Sequence, residues 1–477
     1  MTQKESKLPF REMLAFGCGD FASCLYWQTF MIYLTYFYTD VFGIAAAAAA
    51  TMLGLSRSLD AFFDPVMGMI GDRTNTRWGK FRPFLIWLCV PFAVAGVLTF
   101  TVPGFAGTGK IVWAWVTYNL LMFLYTAINI PYTAMLGVLT PNPTERTALS
   151  SVKFVGAFLG GILISFFLLP GVKKLSAGMG SEAHGWQVAF IIIGIAAVAL
   201  FLTTFFGTRE RVQPPPAQKT SVGRDLADLV TNGPWLILLA VTITFILFVA
   251  ARGSVTVHYF KYFVGTQTVT LPGWLPKIGG TQEWHFEEVA SWFNGTGQLA
   301  SLIGVVLLPF YAARVGKKVA FVSLFIIAIA CTGSFYVLKP EQVVLMVGIN
   351  ILGSMTGGPL SALIWAMYAD SADYSEWRKG RRATGLVFSA SIFSQKQGWA
   401  IGAAVALGLM SSVGFQANTA QTAESLKGLV ALMSVIPAAL GVVSIVILLF
   451  YPLNEARVAQ ISVELKARRE AAGNAPA

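Results

Sequence analysis

The sequence predicts an all-α polytopic membrane protein with twelve transmembrane helices in two six-helix bundles. Of its 477 residues, 55% are hydrophobic and 12% are charged, whereas about a quarter of residues are charged in typical soluble domains. Apolar segments long enough to cross about 30 Å of hydrocarbon recur along the whole chain. One long hydrophilic connection separates six of these segments from the other six. These features exclude a soluble globular fold.

The predicted spans define four regions of the chain. The twelve spans cover residues 12–39, 44–71, 83–103, 111–139, 150–170, 187–207, 234–264, 285–311, 319–338, 342–369, 383–411 and 427–451. Residues 1–207 form the N-terminal bundle, and residues 208–233 form a cytoplasmic linker with a short amphipathic helix. Residues 234–451 form the C-terminal bundle, and residues 452–477 form a cytoplasmic tail. The connection at 265–284 is long and is a candidate lid.

The formal net charge of +11 has a topological explanation. Most Lys and Arg residues fall in the connections on the side of the two termini, and few fall in the opposite loops. The positive-inside rule therefore predicts that both termini are cytoplasmic. The basicity gives no support to a nucleic-acid partner.

The first span carries a buried acid beside two glycines. Gly17 and Gly19 allow a neighbouring backbone to approach closely. We expect Asp20 to face either a partner cation or a polar cavity, because an ionisable side chain at membrane depth is costly.

The second span contains Arg57, Asp60 and Asp64 at membrane depth. Each charge costs about 2.5–3.5 kcal/mol at a helix centre. Asp60 and Asp64 are four residues apart and share a helical face, and two ionised carboxylates about 6 Å apart repel by roughly 3 kcal/mol at an effective dielectric of about 20. A metal cation, a proton or a basic side chain would relieve this repulsion, so we predict a cation site. The alternative is a buried ion pair of Arg57 with one of the acids.

Two clusters of charge are candidate gating residues at the cytoplasmic face. In one interpretation, the two clusters pair with each other in one conformation of the protein. In the other, the charges only set the orientation of the chain in the membrane. The basic cluster follows the second span, and the acidic cluster lies at the end of the tenth: Arg73, Arg77, Lys80 and Arg82; Asp370, Asp373 and Glu376.

The fourth span is kinked and polar near its end. Pro131 removes a backbone donor and frees carbonyl groups near Thr126 and Asn129. Asn129, flanked by Tyr125 and Tyr132, suits a carbohydrate, which takes hydrogen bonds on its hydroxyls and stacking on its apolar faces. The alternative is that the kink serves packing alone.

Spans five, seven and eleven add cationic residues. Lys153 lies near the start of span five, ahead of Gly156 and Gly160 at the spacing of a helix-packing face. In span seven, Arg252, His258 and Lys261 are predicted to lie close enough to the interface for their polar ends to reach it.

Span eleven places Lys396 at mid-membrane. A lone lysine there is costly unless it meets a carboxylate, and Asp20, Asp60 and Asp64 are the candidates. Two six-span bundles with a charged midplane fit a transporter built from two parallel repeats, with its substrate between them.

Several of these stretches together resemble one family. They are F-G-C-G-D-F, Y-T-D-V-F-G, R-S-L-D-A-F-F-D-P-V-M-G, R-W-G-K-F-R-P, Y-T-A-I-N-I-P-Y and Y-A-D-S-A-D-Y. In this order they resemble the glycoside–pentoside–hexuronide:cation symporters, the melibiose-permease-like branch of the major facilitator superfamily. The resemblance covers nearly the whole chain. It implies a monomer in the bacterial inner membrane, in contact with lipid, that takes up a sugar with Na⁺, Li⁺ or H⁺ and is not an enzyme.

The resemblance also implies roles for individual residues. Asp20 corresponds to an acid that binds sugar, and Lys153 stands where the family has an arginine that contacts sugar. Asp60 and Asp64 correspond to the cation-site acids, where Na⁺ is one candidate. Thr126 and Lys396 correspond to residues associated with that site.

The chain departs from melibiose permease at three positions. Asn129 replaces an acid that serves both sugar and cation, Thr133 replaces a tryptophan that stacks on sugar, and Phe63 replaces a polar Na⁺ ligand. These departures make galactoside specificity doubtful and favour H⁺ over Na⁺, although both stay open. A transporter of lysolipids or other amphiphiles on the same fold is the alternative function.

Overall fold

The computed structural model describes residues 8–140, 143–211, 230–271, 280–379 and 384–473, and most of these are helical. We refer to residues 8–211 as the N-terminal part and to residues 230–473 as the C-terminal part. The helices of the N-terminal part are α1 (Phe10–Ile32), α2 (Ala46–Arg73), α3 (Arg82–Thr99), α4 (Thr108–Val138), α5 (Pro143–Met179) and α6 (Glu182–Gly207). Between α1 and α2, a helical turn (Leu34–Tyr36) leads into a π-helix (Phe37–Val41).

The C-terminal part continues in the same manner. Its helices are α7 (Gly233–His258), α8 (Phe286–Val315), α9 (Lys317–Ser334), α10 (Val343–Gly357), α11 (Leu360–Lys379), α12 (Thr384–Ser412), α13 (Ala423–Met433), α14 (Val435–Leu449) and α15 (Glu455–Gly473). A second π-helix (Tyr259–Val264) extends α7. The predicted amphipathic helix of the linker falls on residues 212–229, which lie outside the described residues.

A small antiparallel hairpin interrupts the helical pattern at the candidate lid. Strand β1 (Gln267–Leu271) pairs with β2 (Gly280–Trp284), so that Gln267 lies opposite Trp284. Val269 and Trp284 are buried, which gives the hairpin an apolar attachment to the helices. The long connection predicted here therefore contains a β-hairpin over these ten residues, and its role as a lid stays a prediction. Residues 272–279 of the predicted lid lie outside the described part.

Nine helices or helix pairs in the described part of the chain are long and apolar enough to cross a membrane. They correspond to nine of the predicted spans. The helices α1, α2 and α12, of 23, 28 and 29 residues, are not among the nine, although at 1.5 Å per residue each is more than about 30 Å long. Three residues of the predicted site, Asp20, Asp64 and Lys396, lie on these helices.

Close helix contact fixes α1 against α5. A Cβ atom at Gly156 would lie 2.2 Å from the carbonyl oxygen of Gly17, and one at Gly160 would lie 2.9 Å from that of Phe21. The predicted small-residue packing face is confirmed. Because the backbones meet here, Asp20 on α1 and Lys153 on α5 are held at one level.

Replacing Gly156 by alanine tests this contact. We expect Gly156→Ala to lower Tm and sugar binding together, because the new methyl group meets backbone and overpacking costs about 1–3 kcal/mol. Gly171→Ala on the same helix is the matched control, since a Cβ there meets nothing within 4 Å. Equal thermal stability of the two variants in detergent would contradict the packing account.

The two parts meet along two helix pairs. Helix α2 packs on α12, and α5 packs on α8. The first pair brings Asp64 and Lys396 to the same interface. The division into two bundles of six remains a prediction.

Candidate functional site

An acid and a base face each other across the α1–α5 contact. Asp20 Oδ1 lies 3.9 Å from Lys153 Nζ, and their side chains are 15% and 21% exposed. This separation is within reach of electrostatic attraction but too long for a hydrogen bond. The ammonium group also lies over the ring of Tyr132, 5.6 Å from its centroid. A polar group of a ligand beside the pair could therefore form hydrogen bonds with both members.

A second ion pair joins the two parts of the chain. Lys396 Nζ on α12 lies 2.6 Å from Oδ1 and 2.5 Å from Oδ2 of Asp64 on α2. The expectation that Lys396 meets a carboxylate is confirmed by its contact with Asp64. The two side chains are 23% and 22% exposed, so a small cation can still reach the carboxylate.

The remaining residues of the predicted cation site are placed less completely. Asp60 lies on α2 one turn before Asp64, but its side chain, like that of Arg57, lies outside the described part of the structure. Thr126 is buried on α4, which packs on α2. Phe63 is 40% exposed and makes an edge contact with Phe123.

Some of the residues of α4 that are predicted to bind carbohydrate form contacts within the protein. The Asn129 Nδ2 group donates to the Tyr125 carbonyl oxygen at 2.9 Å, which leaves the Asn129 amide oxygen for other contacts. Tyr125 stacks on Trp27 of α1, with ring centroids 5.7 Å apart. Thr133 is exposed. The aromatic surface next to Asn129 therefore includes Trp27, which the sequence reasoning missed.

The basic gating candidates bind within the N-terminal part. Glu210 accepts hydrogen bonds of 2.8 Å from the backbone N–H groups of Lys80, Phe81 and Arg82. The Arg82 guanidinium donates to the Phe205 and Trp78 carbonyl oxygens. Two further candidates of this set lie nearby, with Arg77 over Trp78 and Arg73 exposed at the end of α2.

The acidic gating candidates lie on α11 at the same end of the bundle. Asp370 accepts hydrogen bonds of 2.7 and 2.6 Å from Lys317 at the start of α9. Asp373 and Glu376 follow on the same helix. The ion pair of Asp370 thus stays within the C-terminal part. Pairing between the two gating clusters remains a prediction.

At the opposite end, a cluster around a buried carboxylate ties the two parts together. Asp40, at the end of the first π-helix, accepts hydrogen bonds from Lys261 at 2.8 Å, from Thr39 at 2.7 Å and from the Tyr262 hydroxyl. His258 Nε2 lies 3.2 Å from the same carboxylate, and both side chains are fully buried. We call Asp40, His258, Lys261, Tyr262 and Asn418 the outer cluster.

Further contacts extend this closure. Asn418 Nδ2 donates to the Asp40 carbonyl oxygen at 2.7 Å, and its backbone N–H donates to Tyr262 at 2.8 Å. Lys173 on α5 lies 3.4 Å from both Glu287 and Glu288 at the start of α8. The end of the bundle away from the termini is therefore closed.

The sequence reasoning missed the outer cluster. It placed Arg252, His258 and Lys261 near the membrane interface, whereas His258 and Lys261 bind Asp40 of the other part and Arg252 lines an internal cavity. The signal available was Asp40 in Y-T-D-V-F-G, an acid at a span end opposite two bases at the end of span seven.

Neutralising Asp40 should open this end of the protein. We expect Asp40→Asn to weaken the closure, because it leaves the buried His258 and Lys261 without their shared anion. A cysteine at Thr35, which is buried in the closed form, should then react faster with a membrane-impermeant maleimide in a background free of other cysteines. Glu341→Gln, at an exposed carboxylate of the same end, should leave the labelling rate unchanged. Equal rates in both variants would contradict a closing role for Asp40.

A cavity of about 360 Å³ lies between the parts, beneath the outer cluster. Residues of α1, α7, α8, α10 and α12 line it. Its walls carry two tryptophans, several amides and one guanidinium, a composition that suits a small polar ligand.

Comparison with known proteins gives consistent matches over nearly the full chain. Residues 15–273 and 281–455 match the family described as MFS/sugar transport protein. The chain is 36% identical to a putative glycoside/cation symporter, YagG, of Escherichia coli (strain K12), over 98% of both chains. It is 37% identical to the isoprimeverose transporter of Lactiplantibacillus pentosus, over 94% of this chain and 90% of that protein. It is 30% identical to the glucuronide carrier protein homolog of Escherichia coli (strain K12), over 97% of both chains.

Solved structures agree on the fold. The nucleoside transporter NupG matches with a TM-score of 0.63 at 12% identity, over 92% of this chain and 98% of that one. A bacterial homologue of the human drug peptide transporters PepT1 and PepT2 matches with a TM-score of 0.65 at 12% identity, over 93% and 98%. The chain therefore belongs to the MFS/sugar transport family of multi-pass membrane transporters, in the glycoside–pentoside–hexuronide:cation symporter branch.

Proposed function

We propose that this protein is a secondary active transporter that carries a sugar together with a cation by alternating access. We place it in the bacterial inner membrane with both termini cytoplasmic, in agreement with the positive-inside rule and with its bacterial relatives. The observation that carries the proposal is the ion pair of Asp64 with Lys396, because it links a candidate cation site to the interface between the moving parts.

The ion pair offers a simple coupling mechanism. With no cation bound, Lys396 neutralises Asp64 and holds α2 against α12. A cation at Asp64 competes with Lys396 and frees the two helices to separate. The cation then shifts the equilibrium between conformations through its different affinity for each of them.

We propose H⁺ as the coupling cation. Na⁺ needs several oxygen ligands, yet Phe63 and Asn129 offer fewer carboxylate or amide oxygens than the corresponding residues of melibiose permease. A proton needs only a carboxylate that can alternate between neutral and charged forms. Lys396 can take the place of a proton at Asp64, because either the ammonium group or the proton neutralises the negative charge of the carboxylate.

We propose that Asp20, Lys153 and Asn129 bind the sugar hydroxyls, with Tyr125 beside them. Asp20 accepts, Lys153 donates, and the open 3.9 Å separation leaves both groups available. The names of the relatives support a glycoside that contains a pentose. They do not favour the alternative of an amphiphilic cargo.

We infer that the structure represents a conformation closed at its outer, non-cytoplasmic end. The outer cluster and the Lys173 ion pairs cross between the parts there. In the described residues of the cytoplasmic end, the ion pairs Arg211–Glu12 and Lys317–Asp370 each stay within one part. Uptake requires the outer contacts to break and re-form in each cycle.

Sugar binding to the purified protein tests the proposal. Isothermal titration is carried out with xylosides, glucuronides, galactosides and a lysolipid, with and without Na⁺ and at several pH values. We expect at least one sugar to bind with an affinity that changes with pH. Affinity that increases with Na⁺ would instead assign a metal ion to Asp64. Binding of the lysolipid alone would contradict the sugar proposal.

A further inference from the structure

We propose that the cavity formed mainly by the C-terminal part is a second subsite, which binds the second ring of a disaccharide. This inference rests on the proposed sugar transport and specifies its substrate as a sugar of two linked, uncharged rings. The first ring lies at Asp20 and Lys153, and the second lies against Trp27 and Arg252. None of the residues expected to bind sugar from the sequence lies on α7, α8 or α10, which supply most of this cavity.

The distance along α1 fits a ligand of two linked rings. Trp27 follows Asp20 by seven residues, which places it on the same helical face about 10 Å further along the axis at 1.5 Å per residue. Trp27 lines the cavity, and Asp20 is paired with Lys153. Two linked rings can span this path, with the first ring at Asp20 and the second against Trp27.

The cavity walls have the chemistry of a sugar site. Gln28, Gln298 and Ser354 offer hydrogen-bonding side chains, and Trp27 and Trp399 meet edge to face with ring centroids 6.3 Å apart. Flat aromatic rings cover the apolar faces of a sugar, and amides can both donate to and accept from its hydroxyls.

Arg252 is the most informative residue of the cavity. Its Nη2 donates to the Asn350 amide oxygen at 3.2 Å, and its guanidinium lies over the rings of Phe293 and Phe335. Within the described part of the chain, its Nε has no hydrogen-bond partner. A guanidinium has five N–H donors, so Arg252 retains donors for a ligand while the two rings stabilise its charge.

Asn350 holds this guanidinium in place. Its Nδ2 donates to the Phe293 carbonyl oxygen at 2.7 Å, which orients the amide oxygen toward Arg252. Since Asn350 is buried, the arrangement is fixed before a ligand arrives. A preorganised donor of this kind favours a hydroxylated ring in one orientation.

The test compares a one-ring and a two-ring ligand on the same variants. Isothermal titration is carried out with methyl α-xyloside and with isoprimeverose, on the native protein, Gln298→Ala and Arg252→Gln. We expect the native protein to bind the disaccharide more tightly. We expect each variant to lose about five- to tenfold in disaccharide affinity, as for the loss of one hydrogen bond, with methyl xyloside affinity unchanged. Gln460→Ala, on the exposed surface of α15, should change neither.

The possible results separate the two proposals. Equal loss for both ligands would place the first ring in the cavity and overturn the second-subsite assignment. Unchanged disaccharide binding in both variants would also overturn it, while leaving sugar transport intact. Failure of the native protein to bind either ligand would overturn the two-ring subsite, whereas sugar binding itself is judged by the titrations with glucuronides and galactosides. Tm of each variant, measured in parallel, distinguishes lost contacts from lost folding.

Discussion

Asp64→Asn should abolish cation-driven accumulation of sugar while leaving sugar exchange across the membrane. The amide cannot take up and release a proton, so the conformational change is no longer linked to a cation. Exchange of internal for external sugar requires no net movement of the cation and should persist. Initial rates of accumulation and of counterflow in the same proteoliposomes separate these two activities.

The variant leaves Lys396 without the anion that it contacts at 2.5–2.6 Å. Removing one partner of a buried ion pair destabilises a protein by about 3–5 kcal/mol, and partial exposure of this pair reduces that cost. The double variant Asp64→Asn with Lys396→Gln removes both charges and is the matched control. It should recover Tm without recovering accumulation. Accumulation by either variant would contradict the role of Asp64.

Asp20→Asn should nearly eliminate sugar binding. A hydrogen bond to a charged group contributes about 1.5–3 kcal/mol, which corresponds to a loss of about 10- to 150-fold in affinity. The substitution is close to isosteric and retains the shape of the α1–α5 contact. Isothermal titration with the preferred sugar measures the effect directly.

Lys153→Arg is the companion variant for this site. It keeps the positive charge beside Asp20 and restores the residue that the resemblance implies, with bidentate geometry. We expect it to bind sugar at least as tightly as the native protein. If Asp20→Asn binds sugar normally while Lys153→Arg fails, the assignment of the first ring to this pair is incorrect.

The sequence predicted those features that follow from the cost of charge in a membrane. Lys396 at mid-membrane required a carboxylate, and the structure supplies Asp64. The spacing of Gly156 and Gly160 predicted close packing against another helix, and in the structure that helix is α1. The identity of each partner was open because pairing across the two parts depends on helix packing, which spacing within one helix does not determine.

Contacts between the ends of spans that are far apart in the sequence could not be predicted in this way. Asp40 and Lys261 are more than 200 residues apart, and each looks like an ordinary polar residue at the end of a span. Both residues lie in π-helical segments, and no simple apolar pattern specifies such segments. Arg252 was misplaced for a related reason, since its distance from the interface suggested solvent while α8 and α10 enclose it.

Gradient-driven uptake by the reconstituted native protein tests the central claim most directly. Isoprimeverose uptake is measured into proteoliposomes under an inward H⁺ gradient, an inward Na⁺ gradient or neither. The account predicts accumulation above equilibrium under the H⁺ gradient, abolished by a protonophore. Accumulation under the Na⁺ gradient alone would contradict the proton assignment, and equilibration without accumulation under both gradients would contradict cation coupling.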